Sequence, residues 1–212
     1  MGGMNVVPPR ARLERGCLVV SSASRRRSMG GSQKVGKALR KPKLFVFDLD
    51  DTIWHPEMYL LRGGGPFTKD KKSGRVFDRS GEEVMLYPAA RDCLRTLATS
   101  EEWKDALVCY ASRCHETDWA NACMRLLDVD KGLNVASCFS APFKGIFMGG
   151  SKQGHFEVLK QKTGIDYEDM IFFDNERWNI TEVSQLGVTC VYTPNGVRQG
   201  QFEQGLEDFS AS

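Results

Sequence analysis

The strongest constraint on this chain is a set of four short apolar runs, Leu44–Phe47, Ala106–Ala111, Met170–Phe173 and Val188–Tyr192. They are rich in aromatic and β-branched residues and do not alternate with polar ones. Such runs suit strands buried on both faces, which is the condition of a parallel sheet covered by helices. The segments between them supply those helices. Pro88 opens one with Ala89, Cys93, Leu94 and Leu97 on its apolar face. Trp119, Cys123, Leu126 and Leu127 form the stripe of a second. His155 to Lys162 carries Phe156 and Leu159 inward, Ile180, Val183 and Leu186 precede a terminating Gly187, and residues 199–209 close the chain as a helix. Residues 133–148 promise only a short strand. Alternating strands and helices of this length give an α/β fold with a mostly parallel sheet.

Three of the runs end in polar residues. The first leads into Asp48-Leu49-Asp50-Asp51-Thr52, the second into Ser112-Arg113, and the third into Asp174-Asn175-Glu176. Ligands of open α/β sheets bind beyond the carboxyl ends of the strands, so these groups converge if the strands are neighbours. Carboxylates without a His or Cys partner suit a hard cation such as Mg²⁺, which takes oxygen ligands and keeps several waters. Without a cation, crowding raises carboxyl pKa values and costs stability. A single acid after a strand is ordinarily a cap or loop charge, and Asp51 fits that description. The ordered set does not.

Phe47-Asp48-Leu49-Asp50-Asp51-Thr52 resembles the first motif of the haloacid dehalogenase (HAD) superfamily of phosphatases. Ser112 is similar to its second motif, Lys152 in Gly150-Ser151-Lys152 to its third, and Asp174 with Asn175 to its fourth. Within that superfamily the stretch from about Leu44 to Phe209 resembles the eukaryotic magnesium-dependent phosphatase family. Leu86-Tyr87-Pro88, Ala111-Ser112-Arg113, Ser151-Lys152 before His155-Phe156, and Leu186-Gly187-Val188-Thr189-Cys190 carry that likeness. The resemblance implies a HAD-like Rossmannoid three-layer sandwich and a Mg²⁺-dependent phosphomonoesterase. Asp48 is the expected nucleophile, giving an aspartyl-phosphate, and Asp50 the general acid and later base. The implied metal ligands are Asp48, the backbone carbonyl of Asp50, and Asp174, with Asn175 acting through a water. Ser112 and Lys152 are expected to hold phosphoryl oxygens, aided by backbone N–H groups near Leu49 and Arg113. Lys152 precedes a helix, where a cation is unfavourable unless an anion is present. Asn175 is a departure, because related enzymes often have an acid there; weaker Mg²⁺ affinity is the expected result, with Glu176 available to compensate.

Fifty-nine residues separate Asp51 from Ala111. They must also supply a helix and a strand, which leaves a Gly-rich loop of roughly 30 residues after Trp54, longer than most connections. A hairpin of Arg75–Asp78 with Glu83–Tyr87 fits part of it. There is room for no large cap domain. The expected site is therefore open, with Trp54, His55 and Phe67 as candidates to line its entrance, and it suits phosphorylated small molecules or phosphoproteins, including phosphotyrosine and protein-attached sugar phosphates. Two other readings carry weight: a protein serine phosphatase of the RNA-polymerase-tail type, which shares Asp-x-Asp-x-Thr, and a catalytically dead scaffold binding phosphoproteins. The Leu86-Tyr87-Pro88 and Ala111-Ser112-Arg113 segments argue against the first. Retention of Asp48, Asp50, Ser112, Lys152 and Asp174 argues against the second.

Charge divides the chain. Residues 1–43 carry eleven bases and one acid, Glu14, a net of +10, whereas the whole chain is +2, so residues 44–212 are −8. An acidic body is not the surface of a nucleic-acid-binding domain. The first segment is rich in Arg and Ser, as transit peptides are; a plastid or mitochondrial address is expected if it acts as one, and a cytoplasmic location otherwise. The seven cysteines are scattered without a Cys-x-x-Cys pair, which favours a reducing compartment. No apolar run reaches the roughly 20 residues of a membrane span, and no heptad suggests more than a monomer.

Overall fold

The structure, a computed structural model, describes residues 40–212. The basic segment's proposed address lies outside the described residues. In chain order the elements are β1 (Leu44–Phe47), β2 (Trp54–His55), β3 (Thr68–Lys69), β4 (Val76–Phe77), β5 (Glu83–Leu86), α1 (Pro88–Thr99), β6 (Leu107–Ser112), α2 (Thr117–Leu126), β7 (Asp128–Asp130), β8 (Leu133–Asn134), α3 (Val135–Cys138), β9 (Gly145–Phe147), α4 (Lys152–Thr163), β10 (Met170–Asp174), α5 (Arg177–Ser184), β11 (Thr189–Tyr192) and α6 (Gln199–Ala211). Arg40, Lys41 and Lys43, counted with the basic segment on charge, belong to this body: the Arg40 guanidinium stacks on Phe209, and Lys43 pairs with Asp169 at 2.7 Å.

The four apolar runs form strands of one parallel sheet, in the order β11-β10-β1-β6-β9. In β1 all four side chains are fully buried, and they divide by the strand period of two. Phe45 and Phe47 meet Leu94 and Leu97 of α1, Cys123 of α2 and Phe202 and Phe209 of α6. Leu44 and Val46 meet Phe156 and Leu159 of α4 and Val183 of α5. Two apolar layers of helices around one sheet give the expected three-layer sandwich. From β1 the chain moves outward through β6 and β9, then crosses to β10 and β11 on the other side. The strand order therefore reverses at β1, and the crevice at its carboxyl end is where such a sheet binds ligands. No helix among the described residues is long and apolar enough to cross a membrane.

The stretch after β1 is more ordered than a loop. β2, β5, β4 and β3 make a small antiparallel sheet, which includes the expected hairpin, and no cap domain is built on it. Asp78 organises it: its buried carboxylate accepts from the backbone N–H groups of Gly63, Ser80 and Glu82, each at 2.8 Å, and from the Ser80 hydroxyl. Trp119 departs from the apolar stripe assigned to it. It packs edge-on to Phe67 and against Gly64, where φ is +58° and a Cβ would run into the indole. It thus joins α2 to this small sheet, while Ala120, Cys123 and Met124 fill the core.

Asp78→Ala strands three N–H donors in this turn. Unpaired donors of this kind cost about 1–3 kcal/mol each when buried, less where water reaches them. The expected outcome is a loss of about 2 kcal/mol in unfolding free energy by urea titration.

Candidate active site

Parallel register sets the site. Phe47 lies opposite both Phe173 and Tyr110, so the next residues along, Asp48, Asp174 and Ala111, lie side by side at the carboxyl ends of three adjacent strands. The Asp48 N–H still donates to Phe173 O at 2.9 Å, which holds Asp48 at the carboxyl end of the sheet. The chain then turns sharply: Leu49 O accepts from Thr52 N and Ile53 N, and Asp51 takes a left-handed φ of 50°. Asp tolerates that conformation better than most residues. The Leu49 side chain is buried in the core.

Lys152, the first residue of α4, is 1% exposed, and its ammonium reaches all three strand ends. Nζ lies 2.6 Å from Asp48 Oδ1, 3.2 Å from Asp174 Oδ2 and 2.5 Å from Ala111 O. Its own N–H donates to Glu182 at 3.2 Å, while Ser151 caps the helix. Burial pushes the Asp48 carboxyl up; the Lys152 ammonium pulls it down, and the Asp174 carboxylate adds to the rise. Asp174 is fully buried, accepting from both sides: Asn179 Nδ2 lies 3.0 and 2.9 Å from its two oxygens, and Glu176 N lies 2.7 Å away. Because a carboxylate only accepts, Asn179 must present its amide NH₂ to Asp174. Its Oδ1 is then a buried acceptor with no protein partner.

Asp50 is turned away from this triad. Its Oδ1 accepts from Trp54 Nε1 at 2.8 Å, and burial raises its pKa to about 6. Thr52 links two strand ends, not its own turn: its hydroxyl accepts from Asn175 N at 3.1 Å and donates to Asn175 Oδ1 at 3.3 Å. Ser112 is buried at the end of β6 and accepts from Cys114 N at 3.1 Å.

These groups border an open pocket of about 280 Å³ lined by Asp48, Asp50, Ser112, Arg113, Asn175 and Asn179, with Glu57, Tyr59, Cys114, His115 and Glu176 further round the wall. Several entrance expectations need correction. Trp54 is fully buried because its indole N–H serves Asp50; His55 packs on Tyr87 and Phe67 on Trp119. The small sheet instead sends Glu57 and Tyr59 to the pocket. Arg113 lines it too, but its guanidinium lies over Trp178, 3.8 Å from the ring centroid. Cys114 lines the pocket as well, and burial pushes its thiol pKa up, so it is not an activated thiolate. Asn179 has no place among the sequence-derived site residues; it lies in the first turn of α5, five residues after Asp174.

A hard cation fits this donor set. Two buried carboxylates share a single ammonium, so negative charge is left over, and the orphaned Asn179 Oδ1 is open to a donor or a positive centre. Among the described residues no three His, Cys, Asp or Glu side chains converge to hold a metal by themselves. Asp48 and Asp174 are a carboxylate pair of the kind Mg²⁺ uses, its shell completed by waters and substrate phosphate.

Strand-end carboxylates, a buried lysine and a strand-end serine around an open pocket define a phosphate-handling α/β site of the HAD type. The chain belongs to the Acid Phosphatase family, which matches residues 40–212. It is 41% identical over 171 residues to magnesium-dependent phosphatase 1 of Homo sapiens, across 81% of this chain and 89% of that protein. It is 35% identical over 156 residues to a HAD-like hydrolase superfamily protein of Schizosaccharomyces pombe, across 72% and 86%. Among solved structures, a HAD-superfamily hydrolase from Ehrlichia chaffeensis aligns with a TM-score of 0.48 at 11% identity, covering 82% of this chain and 98% of that one.

Two outcomes test the site's energetics. Lys152→Met leaves two buried carboxylates facing each other, so stability measured by urea titration without divalent cation should fall by about 3–5 kcal/mol. His155, fully buried, donates Nε2–H to Met148 O at 2.8 Å, and burial lowers its pKa to about 4. The unfolded imidazole, with a pKa of about 6.5, binds a proton that the folded one refuses. Its contribution is therefore complete above about pH 6.5 and shrinks as pH falls towards 4. The stability difference between wild type and His155→Gln should shift against the wild type by about 2 kcal/mol between about pH 7 and 5.

Proposed function

We propose that this chain is a Mg²⁺-dependent phosphomonoesterase that works through a phosphoryl group carried on Asp48. The observation that supports it most is the buried Lys152 ammonium bridging Asp48, which lines the pocket, and Asp174 beneath it. A lysine at a helix start and out of water costs stability. The cost is understandable if the ammonium serves to receive an anion beside a carboxylate nucleophile.

In the first half-reaction an Asp48 carboxylate oxygen attacks phosphorus, the bond from phosphorus to the ester oxygen breaks, and Asp50 gives its proton to that oxygen. In the second, Asp50 takes a proton from water, the water oxygen attacks phosphorus, and the Asp48 carboxylate leaves with its electron pair. Lys152 and the Ser112 hydroxyl hold the non-bridging oxygens. Asp48, the Asp50 carbonyl and Asp174 would hold Mg²⁺, with Asn175 and Asn179 facing its waters. The cation would supply charge neutralisation between carboxylate and phosphate. The Trp54 indole N–H aims the Asp50 carboxyl away from the Lys152–Asp48–Asp174 triad, so the acid/base group and the nucleophile stand in different surroundings. The open pocket suits phosphotyrosine on proteins or phosphorylated sugars, free or protein-attached.

The test is hydrolysis of p-nitrophenyl phosphate with Mg²⁺ and with a chelator. Turnover should require Mg²⁺. Asp48→Asn should lose essentially all of it, and Asp50→Asn about 10²–10⁴-fold. Normal turnover by Asp48→Asn would remove the covalent route, and no metal-dependent turnover by the wild type would remove the enzyme assignment.

A further inference from the structure

Trp178 stands out among the exposed residues near the pocket. It is 55% exposed, at the start of α5, and contributes little to the core. Yet it is fixed by two specific contacts. Its Nε1 donates to Glu176 Oε2 at 2.8 Å, and the Arg113 guanidinium covers one part of its ring at 3.8 Å from the centroid. Both partners line the catalytic pocket. No ion pair of Arg113 with a carboxylate occurs among the described residues, so its side chain is committed to the indole. An apolar ring with more than half its surface in water gains less from folding than a buried one would. Pinned Trp and Arg side chains of this kind are what binding surfaces use, since little rotamer entropy is lost when a partner arrives.

Position gives the ring its role. Arg113 directly follows Ser112, which is placed to hold phosphoryl oxygens. With Asp48 attacking from the floor, in-line displacement sends the ester oxygen outward, towards the mouth. The leaving group therefore passes the wall formed by Arg113 and Glu176, with the Trp178 ring just outside it, held by both. Tyr59, 69% exposed and lining the same pocket, adds an aromatic side chain at that mouth.

We infer that Trp178, braced by Arg113 and Glu176, is a specificity-determining residue that packs against the leaving group and favours planar aryl phosphates over aliphatic ones. The inference rests on the phosphomonoesterase assignment of this pocket, and it adds a residue outside the recognised motifs. Aromatic contact of this kind is worth roughly three- to tenfold in binding.

The experiment compares wild type, Trp178→Ala and Trp178→Phe with Mg²⁺ on phenyl phosphate, glycerol 2-phosphate and glucose 6-phosphate. Trp178→Ala should raise KM for phenyl phosphate roughly three- to tenfold, with kcat and both aliphatic esters unchanged, and Trp178→Phe should restore most of the difference. Equal losses on all three esters, a loss on glucose 6-phosphate matching that on phenyl phosphate, or no loss at all would overturn it. Circular dichroism checks folding, and if the alanine variant is unfolded the phenylalanine and leucine variants carry the comparison. If the wild type hydrolyses none of the three, the enzyme assignment fails separately. Calorimetric binding of phenylphosphonate against methylphosphonate then decides the role of Trp178: a preference for the phenyl compound that Trp178→Leu abolishes supports it, and an unchanged preference refutes it.

Discussion

The arrangement of this protein depends on one buried ammonium. Lys152 brings a charge out of water at the positive end of a helix, where the backbone opposes it. It is tolerated only because the carboxylates of Asp48 and Asp174 and the carbonyl of Ala111 surround it. Those acceptors are close enough only because three parallel strands end in the same register. Sheet order, helix start and charge pairing are therefore one constraint. A buried pair or triad of this kind is poor evidence for stability as such, since a well-packed apolar replacement often does as well. Its retention is better understood through what the triad can bind.

The groups around the triad keep it from collapsing into a closed ion cluster. Asn179 and the N–H of Glu176 hold Asp174 from one side, so its carboxylate does not rely on Lys152 alone. Thr52 ties the turn after β1 to Asn175 after β10, fixing the distance between the two acid-bearing loops. His155 anchors the segment before α4 through Met148 O. Trp54 draws the Asp50 carboxyl away from the ammonium. Together these hydrogen bonds give the three carboxylates different surroundings. Asp48 is paired with the ammonium, Asp174 is shared between the ammonium and an amide, and Asp50 stands apart.

Much of this was legible in the sequence because it lies on regular elements. The strand of β1 announced itself by four consecutive apolar residues, and the acids after it by their place at a strand end. Asp48, Ser112, Lys152 and Asp174 came together as their order implied. The rim was harder. Glu57 and Tyr59 sit in a polar, irregular stretch with no period to fix which residue faces where. Trp54 looked like an entrance residue because Trp is amphipathic; its burial follows from a partner, Asp50, that only the turn at Asp51 brings to it. Trp119 fitted a helical stripe by spacing, but the small antiparallel sheet offered it a competing surface at Gly64. Trp178 read as part of a helix start, and its relation to Arg113 joins two loops from opposite sides of β1.

Asn175 shows how the same local charge count reaches function. An acid there would give the pocket floor three carboxylates against one ammonium; the amide leaves two. On the proposed function, the floor would then repel an incoming phosphate dianion less and attract a divalent cation less strongly. The amide is not free to compensate by turning, because its Oδ1 already accepts from Thr52 and its backbone N–H is held by the same hydroxyl. Asn179 offers the missing acceptor from a different direction, as a buried oxygen with no protein partner. On the proposed function, cation binding would lean on the two paired carboxylates and on oriented neutral oxygens, with the substrate's own phosphate as the remaining negative partner.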